Sequence, residues 1–193
     1  MQFAFSTNAY LRFSFAGSQA LVAQLKQGAP ADVLATADTA SMTASGLSGS
    51  RVFARNRLAI ITAPGNPKHV TTLGDLADKS LRVVLAGPTV PVGKAANKAL
   101  AAAHVVVKPV SLEQDVKGVV TKVRLGEADA GIAYVTDVKA TDGAVDGTDL
   151  PGISNSYPVA VAKPGADATA FADFLLSAAS QSLLASYGFL PPS

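Results

Sequence analysis

The sequence predicts an α/β protein with mixed, mostly parallel sheets, because strand-length apolar runs alternate with helical patterns along the chain. The clearest example lies in residues 13–38, where an apolar run meets Gly17-Ser18 and a helical pattern follows. A second apolar run comes after a break at residues 28–30. Hydrophobic residues make up 49% of the 193 residues and charged residues only 16%. A chain of this length can form one sizeable core or two small lobes.

The remaining elements follow from apolar runs, turn residues and capping residues. Ser111-Leu112-Glu113-Gln114 matches the S-x-x-Q capping box, so we expect a helix to begin there. Thr72 and Asp75 approximate the same pattern and predict a short helix. The other predicted elements, in order, are a loop over 42–50, strands over 57–62 and 81–86, a helix over 93–103, strands over 105–108 and 130–134, a loop over 141–156, a strand over 157–162, and helices over 166–178 and 181–187.

Composition excludes several classes of protein. The 16 basic and 14 acidic residues are scattered, which argues against a nucleic-acid binder. The absence of cysteine excludes disulfides, thiolate zinc sites and a cysteine nucleophile. No stretch approaches the roughly 18 apolar residues that span a bilayer, so we do not expect a membrane-spanning protein. The N-terminus has no basic region before an apolar segment, and we therefore expect no signal peptide in this sequence.

Motifs of catalysis are also missing. Residues 87–95 look like a phosphate-binding P-loop, but five residues separate Gly87 from Gly93 where the motif needs four, and Ala95 replaces the magnesium-binding Ser or Thr. His69 and His104 have no metal-ligand partner at helical spacing. No G-x-S-x-G elbow and no acidic pair are present. We therefore predict that the protein is not an enzyme.

Three predicted strand ends lead into helix starts through small or capping residues, at Gly17-Ser18, residues 91–93 and Asp115-Val116. Parallel strands place such ends on one side of a sheet, where backbone N–H groups can converge on a small anion. The alternative is that these turns hold nothing, as most such turns do. Tyr134 ends a buried strand near the same crevice, and a core tyrosine is the alternative there.

Four ordered motifs resemble the molybdate-binding subunits of ATP-binding-cassette importers, which are class II periplasmic binding proteins. They are FSFAGSQALVAQLKQGAPADVLATAD, VVLAGPTVPVGKAA, PVSLEQDVKGVVTKVRLGEADAGIAYVTD and SYPVAVA with LLASYGFLPP. The resemblance covers residues 11–193. It implies two lobes around a cleft, one formed by residues 1–60 with 160–193 and the other by residues 61–159.

The resemblance also implies a set of oxyanion-binding residues. Ser18 is expected to donate its hydroxyl and amide, Val92 and Val116 their amides, and Tyr134 its phenol O–H. Thr7 stands at the counterpart of the family's first ligand serine. Molybdate is a dianion without a proton at neutral pH, so it needs donors only. A site with N–H and O–H donors and no acceptor carboxylate would disfavour protonated phosphate.

The N-terminus departs from the family pattern. Residues 3–8 match the first strand and loop, but only Ala9 and Tyr10 separate Asn8 from Leu11. Since a parallel crossover needs about 10–12 residues, either the family's first helix is absent and the sequence is shortened there, or residues 3–8 have another role.

The resemblance implies a protein that captures molybdate or tungstate and presents it to the permease of an importer, with no cofactor. It further implies a periplasmic protein, or one held outside the cell by a membrane anchor, and we expect a monomer. An alternative is a sensor or regulatory domain of the same fold that binds another small oxyanion such as sulfate.

Overall fold

Helices and strands alternate through residues 10–192, the part of the chain that the computed structural model describes. A 3-10 turn at Gly74–Ala77 follows the second strand. In chain order the elements are α1 (Ser18–Lys26), β1 (Val33–Ala35), α2 (Thr39–Ser45), β2 (Arg51–Thr62), β3 (Val83–Ala86), α3 (Pro91–Ala102), β4 (Ser111–Glu113), α4 (Val116–Arg124), β5 (Ala130–Tyr134), α5 (Val135–Ala140), β6 (Asp146–Val161), α6 (Ala166–Leu175) and α7 (Ala178–Ser186).

The described strands form a mixed sheet in the order β1-β6-β2-β5-β3-β4. β3 pairs in parallel with β4 and β5, whereas β6 pairs antiparallel with β1 and β2, and β2 pairs antiparallel with β5. The antiparallel pairings all involve β2 or β6, the two longest strands. Parallel pairings are therefore fewer than the sequence predicts and are confined to β3, β4 and β5.

The loop predicted over residues 141–156 is largely a strand. β6 begins at Asp146 and runs to Val161, and its first half pairs with β2. The glycine and aspartate residues of this segment are mostly exposed on the strand, so its composition resembles that of a loop. Hydrogen bonding to β2 overrides the low strand propensity of these residues.

The helix predicted from Ser111 begins five residues later. Ser111 pairs with Val84 of β3, so the predicted cap belongs to β4 instead. α4 starts at Val116, and the Asp115 carboxylate caps it by accepting a hydrogen bond from the Gly118 N–H at 2.9 Å. The strand predicted over residues 105–108 is absent, and the edge strand there is β4.

Buried apolar side chains form separate clusters, which define two lobes. The large cluster of the second lobe is built mainly on β3, β5, α3 and α4, and includes Leu58 and Leu150. Two smaller clusters belong to the first lobe: Val22, Leu34, Met42 and Ala160 form one, and Phe53, Ala54, Val159 and Ala172 form the other. β2 and β6 run through both lobes, and their register shifts between Arg57 and Ala59. These two strands therefore connect the lobes.

Across residues 10–192 we find no helix that combines the length and the apolar character needed to cross a membrane.

Candidate functional site

A cavity of about 320 Å³ lies between the lobes, and three helices begin at its wall. Ser18 starts α1, Val92 is the second residue of α3 and Val116 starts α4. The first N–H groups of a helix have no partner within that helix. Within residues 10–192 no side chain caps α1 or α3, so their first N–H groups are available to a ligand. The helix dipoles favour an anion at this position.

The structure brings four of the five sequence-predicted residues to this cavity. Ser18, Val92, Val116 and Tyr134 all line it, and they come from both lobes. Thr7 lies outside the described residues. We call Ser18, Val92 and Val116, with the backbone around them, the helix-start wall.

Ser18 is held in position by the segment that follows β1. Its Oγ accepts a hydrogen bond from the Ala37 N–H at 2.9 Å, and Ser18 is 7% exposed. Since a hydroxyl group both donates and accepts, the O–H proton of Ser18 is still available for a ligand. Ala37 also lines the cavity.

Tyr134 belongs to a network of buried and half-buried polar side chains at the cavity. Asn155 Nδ2 donates to the Tyr134 hydroxyl at 2.8 Å and to the Ala37 carbonyl at 3.1 Å. Asn155 lies on β6 directly opposite Asn56 on β2. The network therefore lies where the two connecting strands pass between the lobes.

Tyr157 is the second tyrosine of this network. Asn56 Nδ2 donates to the Tyr157 hydroxyl at 3.3 Å and to Thr136 Oγ1 at 2.7 Å. The Tyr134 and Tyr157 rings meet edge to face with centroids 5.8 Å apart. Both tyrosines line the cavity. We call Tyr134 and Tyr157, with Asn56, Asn155 and Thr136, the tyrosine wall.

Burial raises the pKa of both tyrosines well above the ordinary value of 10. Both hydroxyls therefore keep their protons at neutral pH. Each hydroxyl accepts a hydrogen bond from an asparagine amide, which does not use the proton of the hydroxyl itself. Both protons are therefore available to an acceptor in the cavity.

Two carboxylates also line the cavity, contrary to the expected site without acceptor carboxylates. They are Asp115 and Asp137. Each has an oxygen bound to a backbone N–H at a helix start: Asp115 to Gly118, and Asp137 Oδ2 to Tyr134 at 3.1 Å. Helix capping is the physical reason for their presence there.

The pKa of Asp137 is raised from 3.8 to about 6, mainly because its carboxyl group is buried. The negative charge of Asp115 contributes to this rise, whereas the hydrogen bond from the Tyr134 N–H and the charge of Lys117 oppose it. A group of His, Cys, Asp or Glu side chains suited to a metal ion is absent from the described part of the chain.

Sequence reasoning missed Asp137 and the partners of Tyr134. Tyr134 and Asp137 have the spacing of a helix N-cap and the third residue of the helix. This pattern in the sequence could have predicted that Asp137 lies beside Tyr134. Asn56 and Asn155 carry no comparable local signal. Their pairing depends on the register of β2 against β6, and most of the β6 segment that pairs with β2 lies in the region predicted to be a loop.

Comparison with known proteins relates the chain to binding proteins. The profile of the family described as "Bacterial extracellular solute-binding protein" matches residues 1–190. The molybdate-binding protein ModA of Mycobacterium tuberculosis is 38% identical over 193 residues, which cover 94% of this chain and 74% of that protein.

Two solved structures share the fold. The periplasmic molybdate-binding protein of Azotobacter vinelandii aligns with a TM-score of 0.77 at 20% identity, over 100% of this chain and 92% of that one. The sulfate-binding protein SubI of Mycobacterium tuberculosis aligns with a TM-score of 0.78 at 19% identity, over 91% of this chain and 74% of that one.

Proposed function

Because the chain belongs to the bacterial extracellular solute-binding protein family, we propose that it captures molybdate or tungstate between its lobes and delivers it to an ABC importer. The observation that carries this proposal is the convergence of Ser18, Val92, Val116 and Tyr134 on one cavity. The similarity to ModA of Mycobacterium tuberculosis supports molybdate as the ligand.

The donor set suits a fully ionised tetrahedral oxyanion. The helix-start wall offers backbone N–H groups and the Ser18 hydroxyl, and the tyrosine wall offers the O–H groups of its two tyrosines. Hydrogen bonds from neutral donors to an anion are stronger than bonds between neutral groups. The anion is therefore bound by dipoles on both sides of the cleft.

Binding from both lobes gives the protein a way to report its ligand. In this proposal residues 1–60 and 160–193 form the first lobe and residues 61–159 the second. The apolar clusters change along β2 between Ala54 and Leu58, a few residues before this boundary. An anion that bonds to both lobes stabilises the closed arrangement, and the permease recognises that arrangement.

The remaining parts of the proposal follow from the family. The protein acts outside the cytoplasmic membrane, in the periplasm or attached to the membrane surface. It works as a monomer, carries no cofactor and catalyses no reaction. Its partners are the oxyanion and the permease of the importer.

Isothermal titration calorimetry with molybdate, tungstate, sulfate and phosphate at pH 7.5 tests the proposal. We expect saturable binding of molybdate and tungstate, and binding of sulfate and phosphate at least about a hundredfold weaker. Sulfate binding as tight as molybdate binding would instead favour a sulfate-binding or regulatory role. Absence of heat with all four anions would reject oxyanion capture.

A further inference from the structure

Apart from contacts made by β2 and β6, two polar contacts among the described residues join the lobes beside the cavity, and neither is made by a predicted anion-binding residue. Gln19 Nε2 of α1 donates to the Gln114 carbonyl at 3.0 Å. Lys94 Nζ of α3 forms an ion pair with Asp38 Oδ2 at 3.1 Å. We call them the cross-cleft contacts.

Each cross-cleft contact is made by close sequence neighbours of the cavity residues. Gln19 follows Ser18, and Gln114 precedes Asp115 and Val116. The contact between them fixes the start of α1 relative to the start of α4. A displacement of either lobe would therefore break it.

The ion pair links the other two segments in the same way. Asp38 follows Ala37, and Lys94 lies two residues after Val92. Asp38 also caps α2 by accepting a hydrogen bond from the Ser41 N–H at 2.6 Å, so its carboxylate is fixed in the first lobe. The side chain of Asp38 is 12% exposed and that of Lys94 is 38% exposed, so the carboxylate is shielded from solvent while the ammonium group is partly screened.

The backbone of α1 is adapted to the first contact. A Cβ atom at Gly17 would lie 2.7 Å from Gln19 Nε2 and 2.9 Å from Gln19 Oε1. The Gln19 amide therefore folds back over Gly17, and the absence of a side chain there allows it to reach Gln114.

On this geometry we propose that Gln19 and Lys94 are positioning residues that hold the two lobes closed around the anion and thereby slow its release. The proposal rests on the proposed function for the identity of the ligand. The two contacts are specific to the closed arrangement, because their partners belong to different lobes. They add to the stability of that arrangement without touching the anion, so they change its residence time and leave the choice among anions unchanged.

The kinetic test compares the wild-type protein with Gln19→Ala, Lys94→Met and the double variant. Molybdate dissociation is followed by stopped-flow tyrosine fluorescence during a chase with excess tungstate. We expect the double variant to release molybdate about tenfold faster, with an association rate within about twofold of wild type. The ratio of molybdate to sulfate affinity stays unchanged.

Matched variants separate the contact from a general change in charge or folding. Lys98→Met removes the same charge one turn further along α3 from an exposed position, and we expect wild-type kinetics. Lys94→Arg keeps the cation and restores slow release. Asp38→Asn removes the ion pair while an asparagine still caps α2, so it reproduces Lys94→Met.

A second measurement is independent of ligand binding. Since the chain has no cysteine, spin labels at Ser48→Cys and Lys79→Cys report the distance between the lobes. Both positions are exposed. Ser48 follows Leu47, which packs against the Val22 cluster of the first lobe, and Lys79 lies between Leu76 and Leu81, which belong to the large cluster of the second lobe. We expect the distance distribution without anion to shift to longer values in the double variant.

The two measurements decide both proposals. Unchanged release rates together with unchanged distances overturn the role of Gln19 and Lys94. If wild-type protein binds none of the anions, the proposed function fails, and the label distances alone decide whether the contacts hold the lobes together. Faster release in Lys98→Met as well would assign the effect to charge and overturn the proposal.

Discussion

The helix-start wall and the tyrosine wall present hydrogen-bond donors to the same cavity, but they are built in different ways. Val92 and Val116 offer backbone N–H groups, whose positions depend on where α3 and α4 begin. The Tyr134 hydroxyl of β5 is positioned by Asn155 of β6, and the Tyr157 hydroxyl of β6 is positioned by Asn56 of β2. A side-chain substitution cannot remove a backbone donor, whereas it can remove a tyrosine hydroxyl. The helix-start wall therefore loses its backbone donors only if the backbone moves.

Gly93→Ala tests that conclusion with the largest expected effect. A Cβ at Gly93 would lie 2.1 Å from the Gly87 carbonyl oxygen and 2.5 Å from the Ala86 carbonyl oxygen. Because these are backbone atoms, the start of α3 must shift away from β3, and the Val92 N–H moves with it. We expect a loss of more than about 3 kcal/mol in the free energy of unfolding, measured by urea denaturation, and a loss of molybdate binding.

Gly87→Ala is the matched control for this variant. A Cβ at Gly87 would lie 3.6 Å from the Glu113 carbonyl oxygen, which is an ordinary contact. We expect its stability to stay within about 0.5 kcal/mol of wild type. Equal stability of the two variants would show that α3 does not begin in close contact with β3.

Asp137→Asn tests, through pH, the buried carboxylate that accepts the Tyr134 N–H bond beside the tyrosine wall. The folded-state pKa of Asp137 is raised from 3.8 to about 6, so the folded protein holds a proton that the unfolded chain loses between those values. Stability conferred by this group therefore falls as pH rises from about 4 to about 6 and stays low above that. At 1.36 kcal/mol per pKa unit, the loss is about 2 to 3 kcal/mol.

Urea denaturation at pH 4, 5, 6 and 7.5 measures this effect as the difference between variant and wild type. We expect Asp137→Asn to equal wild type at pH 4 and to be about 2 to 3 kcal/mol more stable at pH 7.5. An asparagine oxygen can still accept the Tyr134 N–H bond, which makes the variant conservative. A constant difference across all four pH values would contradict the assigned pKa.

The same contrast explains how much the sequence could predict. The starts of α1 and α3, near Ser18 and Val92, have local sequence signals, because a small-residue turn follows an apolar run in both places. The sequence predicts the start of α4 five residues too early. Ser111 matches a capping box, but it pairs with β3 and belongs to β4 instead. The tyrosine wall depends on the register of β2 against β6, which no local pattern specifies. The sequence-derived site is accordingly more complete for backbone donors than for side-chain partners.

Tyr134→Phe shows how strongly the anion depends on the tyrosine wall. The hydroxyl is buried and supplied with a hydrogen bond by Asn155, so its loss leaves Asn155 with only the Ala37 carbonyl. We expect molybdate affinity to fall about thirtyfold, or about 2 kcal/mol, by calorimetry. Tyr157→Phe is the matched comparison, and a larger loss there would identify Tyr157 as the donor to the anion.

Ser18→Ala is expected to have the smallest effect, because the helix-start wall contains its own replacement donor. In the wild type the Ala37 N–H is bound to Ser18 Oγ, and Ala37 lines the cavity. Removal of the hydroxyl frees that N–H for the anion while the backbone N–H of residue 18 remains. We expect about a fivefold loss of affinity, or about 1 kcal/mol, and Ser18→Thr keeps the hydroxyl as a control. A loss larger than that of Tyr134→Phe would reverse the comparison, since a single side chain would then dominate the wall that the backbone is expected to maintain.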